Sequence, residues 1–391
     1  MNNLSLINRV KYSKIIYTLY YYIGSWGIRF LKLFVKTDAK LIVFASFGGR
    51  KYDDSPKAIY EAMLHDPRYD GYKLVWAFMH PEEFNLPREE KVQIDTLAYY
   101  KTLLRARIWV TNSSMTRGLN FTGKNTFQLN SWHGSAIKRM GSDINSGNTS
   151  FGIKGKSNIN GVMLAQGDFD VEVFSKAFNM AADDFRITGL PRNDELANTT
   201  KARQDELKIS LGIPKTKKAI LYAPTFREYD KDESNNVVLT PPINLKLWAD
   251  RLGKDYVLLF RAHYEVARVM GVVDNEFVKN VSDYPNLNEL IFASDMLISD
   301  YSSIFFDYAI QGKPMLCYCY DYEKYAEKRG MYFDIREWLP SASSEEDLLN
   351  YISNTDTTIK NDSTIRFQRK YVSEFGHATE KSLDIIYEHL L

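Results

Sequence analysis

The sequence predicts an α/β protein made of two doubly wound, Rossmann-like lobes behind a short basic and aromatic segment. Three observations carry that expectation. A length of 391 residues with 45% hydrophobic composition exceeds the usual single domain and supplies a substantial core. From Leu41 onward, short apolar runs alternate with charged stretches of helical period, as in parallel sheets covered by helices. A polar, linker-like stretch from Asn198 to Lys208 interrupts the series once. The expected boundaries are therefore 1–40, 41–197 and 198–391, with the last helix free to pack back on the N-terminal lobe.

The first segment has seven basic residues (Arg9, Lys11, Lys14, Arg29, Lys32, Lys36, Lys40) against Asp38 alone, a net of +6. Between Lys14 and Arg29 the chain is uncharged and aromatic, with Tyr17, Tyr20, Tyr21, Tyr22 and Trp26. That run is shorter than the roughly 20 apolar residues needed to span a bilayer. Its mixture of rings and cations suits the headgroup zone, which points to a monotopic anchor on an inner-leaflet surface. A core helix with solvated basic residues is the competing reading.

In the first lobe, LIVFAS (Leu41 to Ser46), YKLVWAF (Tyr72 to Phe78), ARIWVTN (Ala106 to Asn112), NTFQLN (Asn125 to Asn130) and GVMLAQ (Gly161 to Gln166) read as buried strands. SPKAIYEAML reads as the helix between the first two, with Pro56 near its first turn. In the second lobe, KAILYAPT (Lys218 to Thr225), YVLLFRAH (Tyr256 to His263), MLISDYS (Met296 to Ser302) and KPMLCYCY (Lys313 to Tyr320) are strands, and LKLWADRLG is a helix. Cys317 and Cys319 are the only cysteines, and their spacing suits neighbouring same-face strand positions in a reducing compartment.

Fifty basic and 49 acidic residues leave a formal charge of +1, which excludes a nucleic-acid binder coated in positive charge. Doubly wound sheets bind ligands beyond the carboxyl ends of their strands, so the residues after each run are the candidates for chemistry. In SWHGSAIKRMG, His133 offers a base of suitable pKa, Gly134 permits a tight turn, and a short helix is expected to present Lys138 and Arg139 to an acceptor. YAPTFRE supplies Thr225 and Arg227, and FRAHY supplies Arg261 and His263. An arginine ending an apolar strand requires an anionic partner, either a phosphate or an internal carboxylate. In SDYSSIFFDYA, Ser302 and Ser303 open a helix whose free N–H groups and hydroxyls suit a diphosphate, and Asp307 lies one turn further on, suited to a ribose diol. Asp321 and Glu323 follow the next strand and either border a nucleotide or balance a helix dipole.

Taken together, WHGSAIKRMG, TGLPRND, ILYAPTFRE, LLFRAHY and ISDYSSIFFDYAIQGKPMLCYCYDYEKYAEKRGMYFD resemble, in order and spacing, the CDP-glycerol glycerophosphotransferase family of teichoic acid primases and polymerases. The resemblance implies a GT-B fold whose lobes face a central cleft, the first binding an acceptor and the second a CDP-activated donor. It also implies His133 as the catalytic base, with His263, Ser302 and Ser303 at the donor diphosphate. The chain departs from the family at Phe226, often Trp, and at Ala262, often bulkier.

The expected reaction transfers glycerol phosphate from CDP-glycerol to a lipid-linked acceptor or growing polymer and releases CMP. The expected location is the cytoplasmic face of the plasma membrane. CDP-ribitol as donor, a GT-B glycosyltransferase using a nucleotide sugar, and a non-catalytic membrane scaffold are the rivals. No metal-binding motif is evident and no cofactor is implied; Mg²⁺ is left open as a helper.

Overall fold

A computed structural model describes residues 14–144, 160–225, 227, 242–262, 271–358 and 360–391. The chain divides into two compact units. The first gathers the described residues through His133, from Gly141 to Asp194, and from His377 to Leu391; the second holds Gly134–Met140 and Glu195–Gly376.

The first unit is a seven-stranded parallel sheet of β1 (Asp38–Ala45), β2 (Lys73–Phe78), β3 (Lys91–Gln93), β4 (Ala106–Thr111), β5 (Phe127–Asn130), β6 (Gly161–Ala165) and β7 (Phe185–Ile187). Its order is β3-β2-β1-β4-β5-β6-β7, so the direction of winding reverses between β1 and β4. The registers Val43↔Val75 and Val43↔Trp109 fix the central strands. Helices α1 (Lys14–Lys32), α2 (Asp54–Met63), α3 (Leu97–Arg105) and α4 (Asp168–Phe178) belong to this unit. Alternate β1 side chains enter opposite cores: Ile42 and Phe44 pack with Tyr60 and Trp76, while Leu41 and Val43 pack with Leu103 and Trp109.

The second unit is a six-stranded parallel sheet in the order β10-β9-β8-β11-β12-β13. Its strands are β8 (Lys218–Tyr222), β9 (Tyr256–Phe260), β10 (Val278–Asn280), β11 (Met296–Ser299), β12 (Met315–Tyr318) and β13 (Ser341–Ala342). Its winding reverses between β8 and β11. Apart from the short helix Asp194–Ala197 at the boundary of the units, the described helices are α5 (Lys201–Ser210), α6 (Leu245–Leu252), α7 (Leu287–Ala293), α8 (Ile304–Ala309), α9 (Tyr322–Arg329), α10 (Glu345–Asn354) and α11 (Asp362–Tyr371). Asn244 caps α6 by accepting from the N–H groups of Lys246 and Leu247, and Trp248 is buried in the core.

The final helix, α12 (Ala378–Glu388), belongs to the first unit. It inserts Leu383 and Ile386 into the core below β1, and the Leu383 carbonyl accepts a hydrogen bond from Tyr69 Oη at 2.5 Å. Both cysteines are buried, and the two sulfurs lie 2.8 Å apart on one face at the end of β12.

Helix α1 is two-faced. Tyr20, Ile28 and Leu31 pack on the core above β4, and Ser25 Oγ accepts the Asn120 N–H at 2.9 Å. The opposite face exposes Leu19, Ile23, Trp26 and Phe30, with Leu33 and Phe34 beyond its end. Among the described residues no helix is long and apolar enough to cross a membrane.

Candidate active site

Four loops at the carboxyl ends of the first sheet bring His133 into a defined setting. The chain leaves β5 through Asn130, whose side chain accepts the Trp132 N–H at 2.8 Å. Trp132 then takes a left-handed conformation with φ 49°, and Gly134 follows at φ 131°. This turn lays the His133 ring against Trp132, with centroids 4.1 Å apart, and near Phe47 at 6.0 Å.

The residue is exposed, and its ring is anchored at Nδ1. Its Nδ1 lies 3.1 Å from the Asn112 carbonyl. A carbonyl only accepts, so Nδ1 carries the hydrogen, and in neutral imidazole the lone pair falls on Nε2. Packing lowers the His133 pKa; the Asn112 carbonyl and the Asp54 carboxylate raise it in part and the Arg192 charge lowers it further. The outcome is a neutral imidazole whose Nε2 is ready to accept a proton.

Asp54 and Arg192 were not singled out from the sequence. They form an ion pair of 2.7 Å with little exposure. Asp54 sits at the start of α2 with φ 64°, and Arg192 comes from the turn after β7, inside the TGLPRND motif. The doubled acid ahead of the Ser55–Pro56 helix start was the available signal.

Lys138 and Arg139 correct an expectation. Residues 134–140 form no helix; Lys138 pairs in a bridge with Met331, and the Arg139 N–H donates to the Gly330 carbonyl at 3.0 Å. Tyr332 N–H donates to the Ile137 carbonyl at 2.8 Å, so the backbone bonds a helix would need are taken by another segment. The whole segment belongs to the second unit.

In the second unit the reversal between β8 and β11 gathers Thr225, Arg227, Asp300, Ser302 and Ser303. Arg227 is committed internally. Its side chain is 1% exposed, bonded through Nε and Nη2 to Asp321 at 2.8 Å each and lying 2.9 Å from Asp300 Oδ2. The rings of Tyr301, Tyr320 and Tyr325 surround the guanidinium at 4.9 to 5.2 Å. The expected donor contacts of Arg227 and Asp321 are thus replaced by contact with each other: a buried charge needs a partner, and each is the other's.

Asp300 also accepts the Thr225 N–H at 2.9 Å and the Tyr301 N–H at 2.7 Å, tying the ends of β8 and β11 together. Thr225 Oγ1 is buried with no hydrogen-bond partner among the described residues. Arg261 donates to the Val281 and Tyr284 carbonyls at 3.0 and 2.7 Å, which turns it toward the backbone beyond β10. Ser302 and Ser303 remain partly exposed where α8 begins; Ser303 is its N-cap and makes no side-chain cap bond. Asp307 is 4% exposed, inside the unit and away from the accessible surface of those serines. Glu323 pairs with Arg336. His263 and Phe226 lie outside the described residues. Among the described residues no group of three or more His, Cys, Asp or Glu is placed to hold a metal ion.

The sequence model of the family described as CDP-glycerol:poly(glycerophosphate) glycerophosphotransferase matches residues 28–388. The chain belongs to this family. Among glycerophosphotransferase relatives, a teichoic acid poly(glycerol phosphate) polymerase of Staphylococcus epidermidis is 35% identical over 316 residues, covering 77% of the chain and 43% of the relative. A teichoic acid glycerol-phosphate transferase of Staphylococcus aureus is 30% identical over 369 residues, covering 89% and 93%. The chain thus spans less than half of the first relative and nearly all of the second. A solved structure of the wall teichoic acid polymerase TagF superposes with a TM-score of 0.79 at 31% identity, covering 90% of each chain. A UDP-GlcNAc 2-epimerase from Methanocaldococcus jannaschii, 11% identical with a TM-score of 0.52, shares the two-sheet fold alone.

Proposed function

We propose that this glycerophosphotransferase-family chain transfers glycerol phosphate from CDP-glycerol to a hydroxyl of a lipid-linked or polymeric acceptor and releases CMP. The observation that carries the reading is His133, an exposed residue whose Nδ1 is held by the Asn112 carbonyl so that Nε2 is left as a proton acceptor. His133 takes the proton of the acceptor hydroxyl as its oxygen attacks the β-phosphorus of the donor. The bond from that phosphorus to the bridging oxygen breaks, and CMP departs with the electron pair.

The second unit supplies donor binding. Ser302 and Ser303 present hydroxyls suited to the diphosphate, with Thr225 beside them tied through its N–H to Asp300, while the Arg227–Asp300–Asp321 cluster holds the loops that carry them. His263 joins this group by the family resemblance, and Lys138 and Arg139 are retained as acceptor-side cations. No cofactor is required by this reading, and Mg²⁺ stands as an optional charge partner of the diphosphate.

The exposed face of α1 supports attachment to an anionic membrane surface. Trp26, Phe30, Leu33 and Phe34 are exposed, and Phe34 lines a concavity of about 720 Å³ together with Lys36, Lys101, Arg105 and Asp38. Apolar rings beside cations match the boundary between acyl chains and headgroups, here assigned to the cytoplasmic face. Replacing Trp26 and Phe30 by Ser is expected to release the protein from phosphatidylglycerol vesicles without altering CDP affinity; retained vesicle binding refutes the attachment.

The deciding experiment for the reaction follows CMP release and acceptor mass with CDP-glycerol and CDP-ribitol supplied separately. A mass gain of glycerol phosphate units supports the reading. Consumption of CDP-ribitol alone moves the chain toward its ribitol-phosphate relatives, one of which is 32% identical over 198 residues.

A further inference from the structure

The loop after β1 lies at the winding reversal of the first sheet and is built with more constraint than a connection of its length needs. Phe47, Gly48 and Gly49 are left-handed in succession, at φ 49°, 64° and 82°. An aromatic residue at positive φ is strained, and such strain persists only where the surroundings enforce it. Here they do: Phe47 N–H donates to Asn112 Oδ1 at 2.7 Å, Gly48 N–H to Ser113 Oγ at 2.9 Å, and Gly49 N–H to the Ser46 carbonyl at 2.9 Å. Met79 N–H holds the Gly49 carbonyl at 2.8 Å, and a Cβ on Gly49 would meet Ile94 Cδ1 at 2.2 Å.

This locked loop projects two cations. Arg50 and Lys51 are exposed, and neither makes an ion pair among the described residues. The acidic residues that follow are occupied, Asp53 in capping α2 and Asp54 in its pair with Arg192, while nearby Arg117 is matched by Asp95. Phe47 links the cations to the base: its ring centroid lies 5.5 Å from Lys51 Nζ and 6.0 Å from the His133 ring.

We propose that Arg50 and Lys51 form a subsite for the last phosphodiester of a phosphate-bearing acceptor. The inference rests on His133 activating the acceptor hydroxyl. In a glycerol phosphate chain only three carbons separate the terminal hydroxyl from the preceding phosphodiester, so an acceptor seated at His133 places that anion beside the loop. An acceptor ending in a neutral saccharide leaves the subsite unused. The loop therefore favours chain extension over first addition, with charge rather than shape as the discriminator.

The test is binding of a soluble glycerol phosphate trimer to the full chain, wild type against the Arg50→Gln, Lys51→Gln double variant, with CDP affinity as the folding control. The double variant is expected to bind the trimer about tenfold more weakly and with a shallower salt dependence. A charge-keeping exchange, Arg50→Lys with Lys51→Arg, is expected to restore most of the affinity. Equal trimer binding by wild type and double variant overturns the proposal, as does no binding by wild type or a loss that the exchange fails to restore. If the trimer binds as expected but no CDP-alcohol is consumed, the transfer reading fails and the subsite stands.

Discussion

Beside the winding reversal of the first sheet, an exposed histidine from the loop after β5 has its tautomer fixed by a backbone carbonyl. At the corresponding reversal of the second sheet, an arginine is sealed between two carboxylates and three tyrosine rings. The topology is shared, but the first reversal keeps a group that can change its protonation, whereas the second matches its charges internally. What remains partly exposed beside that cluster is the pair Ser302 and Ser303 at the start of α8. The same strand order thus carries an exposed titratable side chain in one unit and an internally matched, buried charge cluster in the other.

Four experiments strain this contrast, beginning with the largest effect. His133→Ala is expected to lower the rate of CMP release about a hundredfold to ten-thousandfold with CDP affinity retained; a loss below tenfold removes the base from the first reversal. Arg227→Met leaves Asp300 and Asp321 buried without their cation and is expected to cost about 3–5 kcal/mol in urea unfolding. Adding Asp300→Asn and Asp321→Asn to it is expected to recover part of that loss, and no recovery contradicts the internal-pair account. Ser303→Ala is expected to weaken CDP-glycerol binding about tenfold, the worth of one hydrogen bond to a charged group, while leaving unfolding unchanged.

The smallest effect is a displacement on the pH axis. Because the His133 pKa is held below 6.5, the imidazole is neutral and competent above that value. kcat/KM is therefore expected to fall only as pH drops below 6.5, and an acid limb lying above it breaks the assignment.

The central strands were legible because their apolar runs are long enough to be buried on both faces. The four strands that were not legible, β3, β7, β10 and β13, are the outer members of the two sheets. Each is two or three residues long and carries a single buried side chain, which is too little for a period to register. Site residues followed a similar division. The place of His133, Ser302 and Ser303 after a strand was legible, and each is at least partly exposed there. The role of Arg227 could not, because residue type does not reveal whether a phosphate or a carboxylate 94 positions later answers its charge. The helix expected at Lys138 failed for a related reason: its backbone partners near Met331 lie far along the chain.

The placement of α12 has a consequence for synthesis. Leu383, Ile386 and the Arg68–Asp384 ion pair complete a unit whose other strands and helices all lie before Asn198. On the ribosome, that early unit emerges with an open apolar slot and waits for the entire second unit before the helix that fills it is made. Its final closure therefore comes late, after the second unit has been made, and the nascent chain carries exposed hydrophobic surface in the interval, a natural point of engagement for a chaperone.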